Sequence, residues 1–453
     1  MLPKSENREM TEAPHELPRI MRGHNALKPP RYSLGVRLLP GLVALSYLVF
    51  SVLIFVFGPW PWPVSNPWKL YSFLLCVHLA FLGGYWQGIM VKPIEYKRTI
   101  GVEVCLWFAI AANLLLYVPT MQLRLGTGMG IYDAITSPGV VYSEVNANFG
   151  ESSGPMRLIE SLRFILGPAL WLLLPLCMFY WRRLSLLLRI LSVAAMSSYL
   201  FMWFSMGKNK GIIDFGLILP WLVFAAGQKG HRVLQVRKFA KMTFIAAAIC
   251  GVLILIFLWF TTSRSENADR YYDPAARIFA YEQKDLPRPI EDAILLGSSY
   301  MSQGYYGLSL CLDAPFVCTY GVGNAPWLSV VTDRIIGIRT LEVSSYPDRI
   351  EDTGWDVGSR WHTIYPWIAS DVSFYGTVVV IFLIGRLFGL VWIDCLNADN
   401  PLAVGLFSFV ILIIAYFPAN NQVMQFPEQS SGFLGVLCMW FVSRWKWNRV
   451  RTP

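Results

Sequence analysis

Ten apolar runs, most of them close to the length a helix needs to cross a bilayer, punctuate this chain. They lie at 38–58, 69–91, 99–120, 164–181, 185–206, 211–227, 242–262, 372–393, 401–417 and 432–445. A hydrocarbon core about 30 Å thick takes ~20 residues of continuous helix. Composition points the same way: 55% of the residues are hydrophobic and 15% charged, against about 45–50% and about 25% in ordinary globular domains. That balance excludes a disordered chain, a basic nucleic-acid-binding domain and most soluble enzymes. The expected fold is all-α: a polytopic integral membrane protein with about ten transmembrane helices and a large extracytoplasmic loop between spans seven and eight. The run at 211–227 is the weakest, being short and carrying Asp214.

Topology follows from the cations in the short loops, because Lys and Arg concentrate on the cytoplasmic side. Residues 1–37 are polar, with no apolar core ahead of Leu38, and read as a cytoplasmic tail rather than a signal peptide. Lys92, Lys97 and Arg98, then Arg182 and Arg183, then the cluster from Lys229 to Lys241, and finally Arg444, Lys446, Arg449 and Arg451 fall on that same side. Both termini are then cytoplasmic. The net charge of +9 is a topology signal rather than a mark of nucleic acid. The chain divides into the tail 1–37, spans one to seven (38–262), the large outer loop 263–371, spans eight to ten (372–445) and a short tail at 446–453. Loops this long in compact proteins usually carry function. Its stretch ILLGSSYMSQGYYGLSLCLDAPFVCTYGVG mixes aromatic, small and apolar residues. Two readings stand: helices on the outer leaflet, or a small cap with its own core. Cys311 and Cys318 are placed outside, where an oxidising compartment permits a disulfide.

With ten spans committed to the bilayer, chemistry is expected among polar groups at its outer edge. Gly207-Lys208-Asn209-Lys210-Gly211 joins spans five and six. Two ammonium groups and free N–H donors at a helix start suit a phosphate or pyrophosphate; the plainer reading is lysines anchoring helix ends. Asp214, one turn on, either pairs with Lys210 or orients the site. Arg264, Arg270 and Arg277 follow span seven, and Arg157 and Arg163 precede span four. A guanidinium fork suits bidentate phosphate binding, while surface ion pairs account equally well for Arg270 and Arg277. His362, in the segment RWHTIY, is a candidate general base, with Asp371 as rival or orienting partner. Tyr300, Gln303, Tyr305, Tyr306 and Trp361 offer stacking faces and hydrogen bonds for a glycan, although an interfacial aromatic belt explains some of them. No zinc or iron–sulfur spacing, phosphate loop or dinucleotide fingerprint is present, so no metal or cofactor is expected.

The segments GKNKGIIDFG, SYMSQGYYGLSLCLDAPFVCTYGVGNAPWL and WHTIYPWIASDVSFYGT, with the multi-span plan and the late large loop, resemble the bacterial oligosaccharide repeat-unit polymerases, the Wzy-type O-antigen polymerases. That family is related to the O-antigen ligases. The resemblance implies a metal-independent glycosyltransferase that joins undecaprenyl-pyrophosphate-linked repeat units on the periplasmic face of the bacterial inner membrane. Arg264, Lys208 and Lys210 would then hold the pyrophosphate, with His362 or Asp371 taking the proton of the attacking hydroxyl. Implied partners are the lipid-linked oligosaccharide, membrane lipids, a chain-length regulator and a flippase, and no nucleic acid. A ligase, or a non-enzymatic flippase or exporter of lipid-linked glycans, is the alternative.

Overall fold

The computed structural model describes residues 32–91, 101–125, 131–147, 154–228, 288–328, 344–358, 360–397 and 400–449, with single positions between 241 and 255 and at 331–332. Every regular element among the described residues is helical: α1 Leu34–Phe57, α2 Pro67–Met90, α3 Val102–Leu125, α4 Ile131–Thr136, α5 Pro138–Ala147, α6 Gly154–Tyr180, α7 Leu186–Ser205, α8 Lys210–Gln228, α9 Arg288–Asp313, α10 Tyr346–Arg349, α11 Ile364–Asn397, α12 Pro401–Ala415 and α13 Pro427–Arg449. Seven of them, α1, α2, α3, α6, α7, α8 and α11, are long and apolar enough to cross a membrane. They coincide with expected runs one to six and eight, and suggest a multi-pass membrane protein. The run at 242–262 falls largely outside the described residues, as do the tail 1–31, Arg264, Arg270 and Arg277.

Local chemistry sets the helix starts. Ser33 accepts from Val36 N, Asn66 from Lys69 N ahead of Pro67, and Ser185 from Leu188 N. Each satisfies a backbone donor that the first turn leaves unpaired. The closest helix pair is α2 with α11. Gly84 and Gly88 face Gly385 and Gly389, and a Cβ on any of the four would overlap the partner helix's backbone. In lipid, where burial of apolar groups gives helices little reason to associate, such small-residue contacts hold them through dispersion.

α12 is the central post. Its residues are apolar almost without exception and every one from Pro401 to Ile414 is buried, as befits a helix surrounded on all sides. At 15 residues it is about 22 Å long, shorter than a bilayer core. The Tyr47 hydroxyl donates to Ala415 O at 2.6 Å, and Tyr47 lies ten residues before the end of α1, about 15 Å of helix rise. α12 therefore stops inside the bundle. The chain that follows it, 416–426, is largely buried and stays recessed. The end of the bundle toward which α1 and α12 run is termed the far end.

α9 crosses that far end instead of spanning. Near its start, Leu295 O and Ser298 Oγ accept from Trp60 Nε1, both at 3.1 Å. At its finish, Asp313 takes Ser65 Oγ and Lys69 Nζ at 2.8 and 3.1 Å. Tyr305, Leu308 and Leu312 enter the main core with Leu48 and Phe55, while Cys311 packs with Tyr346, Ile350, Trp355 and Ala369. The described part of 263–371 is thus a cap that shares the bundle's core. The expected Cys311–Cys318 disulfide is corrected: both thiols are free. Cys311 is sealed in that aromatic cluster, where burial pushes its thiol well up, whereas the Cys318 sulfur faces Asp371 O at 3.6 Å.

α11 starts at Ile364, ahead of the expected 372, and is broken at Ser373, which has φ 63° and ψ 168°. The residues before the break belong to the cap, and those after it pack along α2.

Candidate functional site

The buried polar groups of the far end collect around the recess left by α12. The α7–α8 reversal is one wall. Gly207 has φ +64°, and a Cβ there would press on Pro138 O, so the turn requires glycine. Lys210 opens α8, and its Nζ meets Asp214 Oδ2 at 2.9 Å with both side chains largely buried. The second oxygen, Oδ1, accepts from the Tyr416 hydroxyl at 2.8 Å. The ammonium lies 5.3 Å from the Tyr416 ring and 5.5 Å from Phe426, a cation–π setting. Lys208 sits outside this knot, 5.8 Å from the Tyr142 ring. Asn209 between them is buried, with neither amide atom bonded among the described residues.

Opposite stands a second ion pair. Arg163, 5% exposed, reaches Glu428 Oε2 through Nε at 2.7 Å and Nη2 at 2.6 Å. Its Nη1 donates to Thr120 Oγ1 at 3.1 Å, and that hydroxyl donates to Leu116 O. Glu428 is the second residue of α13, behind Pro427, where the helix dipole favours an acid. Arg157 stands on the exposed first turns of α6. Between the two pairs a cavity of about 30 Å³ opens. Asp214, Glu428 and Tyr199 line it near the helix ends, and Leu170, Leu173, Met196, Ile218 and Phe409 line it deeper, with Asn113 and Ser408 among them. Among the described residues the Trp171 Nε1 makes no hydrogen bond, and the Tyr199 hydroxyl has the Trp203 side chain beside it; both residues line the cavity.

His362 lies across the 416–421 turn from these pairs. Thr363 N donates to Ala419 O and Ile364 N to Phe417 O, each at 3.0 Å. The glycines of QGYYG make this approach feasible: a Cβ on Gly304 would strike Pro418 O, and one on Gly307 would meet Trp361 O and the Trp355 indole. That motif is a packing device, with helix α9 laid directly on the 361–363 backbone. His362 is 0% exposed, and among the described residues neither ring nitrogen makes a well-formed hydrogen bond. Burial pulls its pKa down to about 4, only partly offset by the nearby backbone of Arg360 and the Asp356 charge. It is a sealed, neutral imidazole.

Asp371 is equally committed. Thr319 Oγ1, Gly321 N and Gly323 N donate to its Oδ1 at 2.5, 2.8 and 3.2 Å, and Asn324 N to Oδ2 at 2.9 Å. The carboxylate is the hub that folds the 319–324 loop. Asn421 Nδ2 ties that loop to the α12–α13 connection through Asn324 O and Oδ1 at 2.9 and 2.6 Å.

The aromatic residues divide. Tyr305 is 0% exposed, with its hydroxyl 2.7 Å from Ser51 Oγ, so no sugar can stack on it. Gln303 is also buried. Tyr300 packs edge-on against Trp361 at 4.7 Å, and Tyr306 stacks on Trp62 at 5.6 Å. These half-buried rings lie with Trp355 at the far end. Lys210 and Asp214 are brought together with Arg163, while His362, Asp371 and Tyr305 serve the fold. Glu428, Tyr416, Tyr199 and Thr120 escaped the sequence reading. Pro427-Glu428 at the mouth of an apolar run is a helix-start signal that marks Glu428; the others carry no local signal.

The seven long apolar helices suggest a multi-pass membrane protein, and its buried polar groups gather at a small cavity with a mostly apolar lining. No protein-family model, curated protein or solved structure matches this chain.

Proposed function

We propose that the chain is a membrane glycosyltransferase that polymerises undecaprenyl-pyrophosphate-linked oligosaccharide repeat units into a surface polysaccharide, with both termini cytoplasmic and the far end periplasmic in the bacterial inner membrane. The observation that carries this reading is the cavity's mixed lining: the carboxylates of both ion pairs, Asp214 and Glu428, together with aliphatic and aromatic side chains. Linings of these two kinds are what a ligand with a polar head on a hydrocarbon chain requires, and at about 30 Å³ the cavity holds a water-sized group until the bundle opens. Lys210 and Arg163 are already paired with Asp214 and Glu428. In this reading the far-end cations, Lys208, Lys210, Arg157 and Arg163, together set the positive potential that the phosphate meets. Half-buried Tyr300, Tyr306 and Trp361 supply the glycan surface. Preplaced cations near the leaving pyrophosphate would stabilise charge that develops as the glycosidic bond breaks.

The test is the purified protein in nanodiscs with a lipid-linked repeat unit, products being read on a gel. A ladder is expected; intact substrate with no ladder overturns the proposal. A flippase or exporter is the second reading, favoured by the ion pairs lying inside the bundle. It requires movement of labelled lipid-linked glycan between leaflets of a vesicle without any ladder. Supplying a lipid A core acceptor distinguishes a ligase, which would attach one glycan to the core.

A further inference from the structure

Within the glycosyl-transfer reading, on which this inference rests, one group must accept the proton of the attacking hydroxyl. The described far end holds four acids or bases that are buried or near the recess, and their surroundings differ. His362 is sealed, with no surface through which a hydroxyl can reach it. Asp371 is saturated by four donors of its own chain. Asp214 has one oxygen on Lys210 and the other on Tyr416. Glu428 alone of the four spends a single oxygen: Arg163 Nε and Nη2 both converge on Oε2. Its Oε1 has no donor among the described residues, and its side chain keeps 18% of its surface accessible. The residue lines the cleft.

We propose that Glu428 is the catalytic base, with Oε1 as the proton-accepting atom and Arg163 as its positioning residue. The carboxylate is fixed from behind. Arg163 is itself held by Thr120, and the Glu428 carbonyl accepts from Ser431 Oγ at 3.0 Å while that hydroxyl also donates to Phe164 O of α6. A group held at both ends presents its free oxygen in one direction, which is what proton transfer within hydrogen-bond reach requires. The Tyr199 hydroxyl, beside the Trp203 side chain and in the field of Glu428, Asp214 and Arg163, supplies a polar contact for the same acceptor sugar. In the step, the acceptor hydroxyl gives its proton to Oε1. Its oxygen pair forms the new bond to the anomeric carbon, and the bond from that carbon to the pyrophosphate oxygen breaks with its electrons on the leaving phosphate. Water then takes the proton and restores the carboxylate.

The experiment compares Glu428→Gln, Glu428→Ala and the parent protein in nanodiscs, with the lipid-linked repeat unit as substrate and its binding measured separately. Loss of turnover by about 10²- to 10⁴-fold is expected for both variants, with substrate binding retained. Sodium formate, small enough to stand in for the deleted carboxylate, should restore part of the Glu428→Ala rate and leave Glu428→Gln unchanged. Glu428→Gln is isosteric and can still accept from Arg163, so it decides the matter where Glu428→Ala does not fold. Turnover of Glu428→Gln within about threefold of the parent overturns the assignment, as does a folded, substrate-binding Glu428→Ala that formate does not revive. If the parent itself yields no ladder, the glycosyl-transfer reading falls instead.

Discussion

Around α8 and α13 the far end is ionic: two buried cations, each with a carboxylate partner, hold three helices and the 416–426 turn together. Around α9 and α11 it is aromatic, with Trp60, Trp62, Tyr306, Trp355, Tyr300 and Trp361 in ring contact and a neutral histidine beneath them. Both halves bury polar groups, but they meet the cost differently. The ionic half cancels charge by charge, and so depends on both members of each pair being present. The aromatic half keeps its titratable ring uncharged, and so depends on pH. Unbonded polar atoms occur in both, at Asn209 in the ionic half and at His362 in the aromatic one, but the cavity lies in the ionic half. Function is expected where the packing is incomplete.

The sharpest way to break this contrast is to remove one charge. Arg163→Leu strands Glu428 in the recess and should cost about 3–5 kcal/mol, seen as a large fall in unfolding temperature in detergent. Arg163→Leu with Glu428→Leu should recover most of that loss; equal losses in the single and double variants would mean the pair is not what holds α6 to α13. The aromatic half answers to acid. His362 has a native pKa near 4 against an unfolded value of about 6.5. The unfolded chain therefore binds the extra proton between those values, so stability is full above about pH 6.5 and declines as pH falls toward 4. The total is on the order of 3 kcal/mol. His362→Phe should flatten that slope in a pH series of melting curves, and an unchanged slope would assign it to other groups. Asp371→Asn keeps the shape but loses charge-assisted bonds to the 319–324 loop, for about 1.5–3 kcal/mol, with faster amide exchange in that loop as the signature. Smallest is Tyr305→Phe, which strips the hydroxyl from Ser51 for about 1 kcal/mol and should leave glycan binding untouched.

The helices were legible because hydrophobic runs of bilayer length leave few alternatives, and α1, α2, α3, α6, α7, α8 and α11 stand where the runs put them. The site was legible in part. Lys210 with Asp214 shows in the sequence as an i, i+4 pair after a glycine turn. Arg163 with Glu428 does not, since 265 residues separate them and only the docking of α13 on α6 makes them neighbours. The QGYYG segment misleads for a physical reason: glycine beside aromatic rings looks like a binding surface, whereas the glycines admit a second backbone and Tyr305 fills the core. Asp371 and His362 look catalytic in one dimension because the sequence does not reveal how many donors surround a carboxylate or whether a ring reaches a surface.

The early stop of α12 has an electrical consequence. A group at Tyr416 lies about 15 Å below the end of α1 by helix rise, roughly half of a bilayer core. In a membrane carrying a potential, the recess is then not at the voltage of the bulk phase beyond the far end. A full crossing is worth about 2.3 kcal/mol per charge per 100 mV, and a proton or phosphate entering the recess experiences whatever fraction of that drop its depth allows. A short helix thereby turns a pocket in the fold into a point at intermediate potential, and work done there would depend on whether the membrane is energised.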